Sequence, residues 1–176
     1  MDKYLTPTTV EDIDYLSSRL RKADKDECSA ATGLPVRDAL YTGYLAGDVT
    51  LTLRNSKGLR VGICGVVSSQ TTKGAGVIWM TATDDIYQHQ MTFLRKSKAA
   101  LEYLSDGYLV LFNCVDARNH LHIKWLKWMG FTFIQKHEEY GAEQRPFYEF
   151  IRISKNVSTN SSRCRCKPSD AGNQGD

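Results

Sequence analysis

Apolar residues recur at Val10, Ile13, Leu16 and Leu20, the spacing of one helix face, behind Thr8 or Thr9 with Glu11 and Asp12 next. This predicts a first helix, with Arg19, Arg21 and Lys22 near its end. Residues 24–35 are mixed and hold Gly33 and Pro35, which predicts a break. A short second helix is expected over 38–45, ending near Gly47. Residues 49–53 and 59–68 are rich in β-formers and flank Asn55-Ser56-Lys57-Gly58, so they predict a hairpin. After a polar turn over 71–76, residues 77–83 begin apolar on both faces, which favours a central strand covered on two sides.

Residues 89–105 place Met91, Leu94, Leu101 and Leu104 on one stripe and Arg95, Lys96 and Lys98 away from it. Asp106-Gly107 closes this long helix. Residues 108–115 form the most apolar strand. A helix over 119–129 stops at Gly130. Two last strands are expected over 131–135 and 147–153, joined by the charged stretch 136–146. The helix between strands 77–83 and 108–115 implies a parallel crossover, and the flanking hairpins imply antiparallel pairs. The expected fold is α/β, a central mixed sheet of about six strands flanked by about four helices.

Composition narrows this only slightly. The 176 residues suit one domain, and 41% hydrophobic with 24% charged is a globular profile. From residue 154 onward Ser, Asn, Gly and Asp dominate, so the expected division is a domain over 1–153 and a disordered basic tail over 154–176. Net charge is +3, and the tail holds four cations against two carboxylates, leaving the body close to neutral. The body is therefore a poor nucleic-acid groove, although the tail suits weak nucleic-acid contact. No apolar run approaches the ~20 residues of a membrane span. The start of the chain lacks a signal-peptide core, so the protein is expected to stay where it is made. Cys64 and Cys114 sit in apolar strands and read as reduced core residues. Cys164-Arg165-Cys166 offers too few ligands for a tetrahedral site, so no metal is expected.

The stretch Asn119-His120-Leu121-His122-Ile123-Lys124-Trp125-Leu126-Lys127-Trp128-Met129-Gly130-Phe131, set in this element order, resembles the GNAT N-acetyltransferases. Asn119, Ile123, Gly130 and Phe131 fall where that family has an Asn, an aliphatic residue and a Gly-Phe pair. A narrower resemblance is to podophage proteins related to internal virion protein A, through Asn119, His122-Ile123, Leu126-Lys127, Gly130 and Glu138-Glu139-Tyr140. The first resemblance implies acetyl-CoA as co-substrate and an amine as acceptor. The second implies an internal-virion or virion-assembly role, in the virion or the host cytoplasm, with other phage proteins as partners and catalysis lost.

The GNAT resemblance implies a glycine-bearing turn after the fourth strand that cradles pyrophosphate on backbone N–H groups. This chain has Asp84-Asp85-Ile86-Tyr87-Gln88-His89-Gln90-Met91 there, with no glycine and two carboxylates at the entrance. Gln88, His89 and Gln90 are the residues left to contact a cofactor. The family's acid, a Tyr on the last helix, is Leu126 here; Tyr87, Tyr140 and Tyr148 are alternative donors. His122 falls within the apolar arc of Leu121, Trp125, Leu126, Trp128 and Met129, as a core histidine or as a general base. Asp84 and Asp85 stand at a strand end, as bases or as solvated acids opening a helix. Asn119 is a substrate contact or a helix cap.

Overall fold

The computed structural model describes residues 4–154, with the backbone alone over 87–95. The chain runs through β1 (Leu5–Pro7), α1 (Val10–Ser17), α2 (Lys22–Thr32), α3 (Val36–Ala46), β2 (Val49–Arg54), β3 (Arg60–Ser68) and β4 (Ala75–Ala82). A 3-10 helix, Asp84–His89, leads into α4 (Gln90–Leu104), and β5 (Val110–Asp116), α5 (His120–Trp128), β6 (Thr132–Tyr140) and β7 (Arg145–Ile153) follow. Among the described residues no helix is long and apolar enough to cross a membrane.

The sheet has seven strands in the order β1-β2-β3-β4-β5-β7-β6. Every neighbouring pair is antiparallel except β4 and β5, which run parallel through the α4 crossover. Helices cover both faces. One core joins Leu101, Leu104, Leu111, Val115, Leu126 and Phe150; the other joins Ile13, Leu16, Leu40 and Ile63, with Trp79 against it. Successive residues of a strand point to opposite faces, so Ile63 and Cys64 enter different cores.

The sheet therefore has one strand more than the pattern predicts, and the described residues form five α-helices. The extra strand, β1, is three residues long, too short for alternation to register. The extra helix, α2, occupies the expected break. Its sequence KADKDECSAAT has no apolar stripe, and its buried residues are Asp24 and Ala30. Periodicity cannot detect a helix held by a carboxylate and a small side chain. Gly33, at φ 70°, caps its end rather than marking an interior break. Leu20 continues the α1 spacing but lies beyond that helix, buried in a bridge to Thr83.

The charged stretch after residue 135 does not interrupt β6. It lies on the sheet edge, where Lys136 and Glu138 pair in solvent, so polarity does not break the strand. The α5 arc is narrower than the wheel suggests: Leu126 and Met129 are buried, whereas Leu121 and Trp128 are exposed. Lys98 Nζ sits 4.2 Å from the Trp128 ring centroid, a surface cation–π contact. The predicted tail and its cysteines lie outside the described residues.

Candidate active site at the splayed strands

The two central strands separate. Their ladder pairs Ala75, Gly76 and Val77 with Val110, Leu111 and Phe112, then stops, although both strands continue. Asn113 stands where the next rung belongs. Its Nδ2 donates to the Ile78 carbonyl at 2.8 Å, and its Oδ1 accepts the Cys114 N–H at 2.8 Å. One side-chain amide thus replaces a direct backbone bond and holds the strands apart without orphaning either group.

Beyond that wedge the edge of β4 turns into the gap. Ile78 C=O points across it, Ala82 N–H donates to Asp24 Oδ2 at 2.8 Å, and Ala82 C=O accepts the Arg21 N–H at 2.9 Å. Strand alternation puts the N–H and C=O of Met80 on the same edge, between those two anchors.

The start of α2 closes the far end of the gap. Asp24 is 2% exposed and accepts from Arg21 Nε at 3.1 Å, Arg21 Nη2 at 2.5 Å and Asn119 Nδ2 at 3.1 Å. One carboxylate therefore joins the end of β4, the start of α2 and the start of α5. The other end of α2 lies under the β6–β7 turn: Glu143 N–H donates to Ala30 C=O at 3.1 Å. Gly141 admits this approach, because a Cβ there would lie 2.4 Å from the Ala30 carbonyl oxygen.

A cavity of about 220 Å³ occupies the splay. Its apolar wall includes Trp79, Trp125, Phe131, Phe147 and Phe150, and its polar groups include Glu27, Thr81, His122, Tyr140 and two thiols, Cys28 and Cys114. Trp79 fits because Gly43 and Gly65 leave room; a Cβ on either would lie 3.0 or 2.9 Å from its ring. Three polar atoms here are buried without a hydrogen-bond partner: Trp79 Nε1, Thr81 Oγ1 and His122 Nδ1. Unpaired buried polar atoms cost stability, so three around one cavity point to ligand contacts.

His122 Nδ1 lies 3.7 Å from Glu27 Oε1, beyond hydrogen-bonding range, while Glu27 Oε2 accepts from Asn119 Nδ2 at 2.9 Å. The His122 ring packs on Trp125 with centroids 5.5 Å apart. On the other wall Tyr140 lies beside Cys114. Burial, followed by that contact with Cys114, pushes the Tyr140 hydroxyl up to about 12. Tyr140 therefore keeps its proton at neutral pH. Burial likewise pushes the Cys28 thiol up to about 12, helped by the charges of Glu27 and Asp24. Both Cys28 and the half-buried Cys114 stay protonated, which makes them poor nucleophiles.

Solved acetyltransferase structures share this architecture. The spermidine N-acetyltransferase of Vibrio cholerae, in complex with CoA and spermine, superimposes with a TM-score of 0.62 at 12% identity, over 86% of this chain and 96% of that one. Aminoglycoside acetyltransferase AAC(6')-Ib, in complex with coenzyme A, gives 0.62 at 14%, over 85% and 93%. A GNAT-family acetyltransferase of Bacillus anthracis gives 0.61 at 11%, over 85% and 93%. The chain has the GNAT acetyltransferase fold. No protein-family model matches the sequence, and no curated protein matches it either.

Within this GNAT fold the sequence-derived site residues divide. His122 lines the cavity. Asn119, 2% exposed, caps α5 by accepting the His122 N–H at 3.4 Å, and its amide nitrogen ties α5 to Asp24 and Glu27. It holds the site together from behind. Asp84 and Asp85 are exposed at the start of the 3-10 helix and do not line the cavity; Asp85 Oδ2 accepts from Thr83 Oγ1 at 3.3 Å. The side chains of Gln88, His89 and Gln90 lie outside the described residues. Their backbone forms the 3-10 helix and the start of α4.

Sequence reasoning missed Glu27, Thr81 and Asn113. Glu27 lies in the helix the pattern overlooked. Asn113 did leave a signal, as a lone amide in the most apolar strand.

The fit to acetyl-CoA is uneven along the ligand. The splay, the β4 edge at Met80 and the unpartnered Thr81 hydroxyl suit a narrow arm with amide groups ending in a thioester. The turn after β4 does not suit a pyrophosphate, since its first turn carries two carboxylates and no glycine lets the phosphates approach the backbone.

Proposed function

We propose that this protein is an acyl-CoA-dependent N-acyltransferase that holds its acyl donor chiefly by the arm in the splay. The observation that carries this reading is the cavity at the β4–β5 splay, with His122 Nδ1 unpartnered and Tyr140 facing the same space. The GNAT neighbours act in its favour, two of them being described in complex with coenzyme A.

The thioester supplies an activated acyl carbon. The chain's own groups handle the protons. His122 Nδ1 takes a proton from the acceptor nitrogen as the N–C bond forms, and Glu27 beside it stabilises the resulting imidazolium. The Tyr140 hydroxyl donates to the sulfur as the C–S bond breaks. The Met80 N–H, on the open edge of β4, would donate to the acyl oxygen as negative charge develops there. Asn119 fixes Glu27, and Asn113 fixes the width of the gap. The test is release of free thiol from acetyl-CoA in the presence of a panel of primary amines. Amine-dependent release that disappears in His122→Ala supports the reading; no release with any amine counts against it.

A second reading has one observation behind it, the turn after β4 that bears Asp84 and Asp85 and lacks a pyrophosphate cradle. In this reading the fold is retained without catalysis in a phage protein of the virion interior or its assembly. Mass spectrometry of purified particles separates the two, because a catalyst acting on host or phage amines has no need to be packaged.

A further inference from the structure

We propose that Asn119, braced by Asp24, is a positioning residue that holds Glu27 off His122 and so keeps the Nδ1 lone pair free. The inference deepens the acyltransferase reading, in which His122 takes the acceptor's proton. It concerns the resting protein, so it is tested without turnover.

The Asn119 amide has two hydrogens, and both go to carboxylates of α2: to Asp24 Oδ1 at 3.1 Å and to Glu27 Oε2 at 2.9 Å. Its oxygen accepts the His122 N–H at 3.4 Å. Every polar group of this side chain is engaged, on a residue 2% exposed. A flipped amide would turn its oxygen on the carboxylates and its hydrogens on the N–H.

Asp24 and Glu27 lie three residues apart on α2, on one face of the helix. Asp24 is fixed: Arg21 donates to it from Nε at 3.1 Å and from Nη2 at 2.5 Å, and the Ala82 N–H at 2.8 Å. Asn119 therefore hangs from an immobile carboxylate and holds the movable one.

The free oxygen of Glu27 stops 3.7 Å from His122 Nδ1, although these side chains are only 17% and 11% exposed and Nδ1 has no hydrogen-bond partner among the described residues. A carboxylate and an imidazole this close gain by closing the gap, with the proton on Nδ1. Closure would need Glu27 to turn away from Asn119. It would also cost the site its acceptor, because a nitrogen that donates to a carboxylate has no lone pair for a ligand.

Other charges nearby are spent or neutral. Arg21 is paired with Asp24, Arg118 with Asp116, Lys22 with Asp26 and His137 with Glu149. Cys28, Cys114 and Tyr140, which line the cavity, keep their protons. His120 and Lys124 stand two positions from His122 on α5, where helix geometry turns side chains apart. Glu27 is the charge to which His122 responds.

The test is 15N NMR of the full chain, labelled at its four histidines, without donor or acceptor. The pH is held at about 8, where an ordinary imidazole is neutral. His122→Ala assigns the His122 signals. The expected result is a proton on Nε2 and none on Nδ1. Asn119→Ser keeps a cap on α5 but has no amide to hold two carboxylates, so Glu27 should close and the proton should move to Nδ1. Adding Glu27→Gln to that variant should return Nδ1 to its unprotonated state. The proposal is overturned if Nδ1 carries the proton in the unaltered chain, if Asn119→Ser leaves the His122 spectrum unchanged, or if Glu27→Gln fails to reverse the change. Loss of a helix cap alone would lower the melting temperature without moving this proton. Should Asn119→Ser fail to fold, the spectrum of the unaltered chain still decides. Spectra as expected, with no turnover of acetyl-CoA, would uphold this inference and sink the enzyme. Turnover by a chain whose Nδ1 already carries the proton would do the reverse.

Discussion

Asn113 bonds to Ile78 through its side chain at the point where the β4–β5 ladder stops, so a single amide opens the middle of the sheet. The same amide satisfies the Cys114 N–H. Asn113→Ala removes both partners and leaves a half-buried carbonyl and N–H to find new ones. The expected cost is about 1–3 kcal/mol in urea denaturation. Binding of any ligand in the splay should weaken at the same time. Unchanged stability and unchanged binding would mean that the wedge does not hold the gap.

Asp24 joins α2 to the end of β4 and to α5 from full burial. Asp24→Ala takes the acceptor away from Arg21, from the Ala82 N–H and from Asn119 together. Breaking a buried charged pair costs about 3–5 kcal/mol, and the midpoint of chemical denaturation should fall accordingly. A loss below about 1 kcal/mol would show that solvent or a neighbour replaces the carboxylate easily.

Acid should destabilise the fold through two other carboxylates. Burial opposes the charge of Asp12, but hydrogen bonds from Arg60 and Thr52 and the charge of Arg54 outweigh it and hold this carboxyl below its usual value. Burial opposes Asp116 in the same way, and hydrogen bonds and charge from Arg118 outweigh it. A carboxyl with a lowered folded-state pKa contributes stability above its unfolded pKa and loses it as pH falls through the folded value. The contribution of these two groups should thus be level down to the ordinary Asp value of 3.8 and decline below it. Asp12→Asn should flatten that decline. Melting temperatures from pH 7 to pH 2 check this, and an equally steep fall in the variant would exclude Asp12 as a source.

These cases show what the sequence made legible. Runs of β-forming and apolar residues exposed β2 to β5, and helical periodicity exposed α4 and α5. Asn119, Gly130 and Phe131 pointed to the GNAT fold, and His122 was legible as a polar residue inside an apolar arc. Residues 24–35 looked like a break, since α2 is fixed by Asp24, Ala30 and the Gly141 turn rather than by a stripe. Glu27 was hidden with it. Tyr140 appeared only as one of several tyrosines; its place beside Cys114 depends on the β6–β7 hairpin folding back over α2, a contact between residues far apart in the chain.

In the proposed mechanism His122 and Tyr140 divide the proton transfers, so their variants should fail differently. His122→Ala should lower the rate of amine acylation about 10²-fold or more, and a nucleophilic amine free of its proton at high pH should regain part of the loss. Tyr140→Phe should lower kcat with little change in KM, since the ring and its packing on Phe147 remain. Steady-state kinetics against pH distinguishes the two. Equal losses with no recovery at high pH would assign His122 to structure.

The most direct measurement is calorimetric titration of the full chain with acetyl-CoA and with S-acetylpantetheine, which lacks the nucleotide phosphates. With the donor's arm in the splay, as proposed, and no cradle for its phosphates, both should bind in the micromolar to millimolar range, within about tenfold of each other, and Asn113→Ala should weaken both. Acetyl-CoA that binds far more tightly than S-acetylpantetheine would contradict the missing cradle. No binding of either at millimolar concentration would contradict the acyltransferase itself.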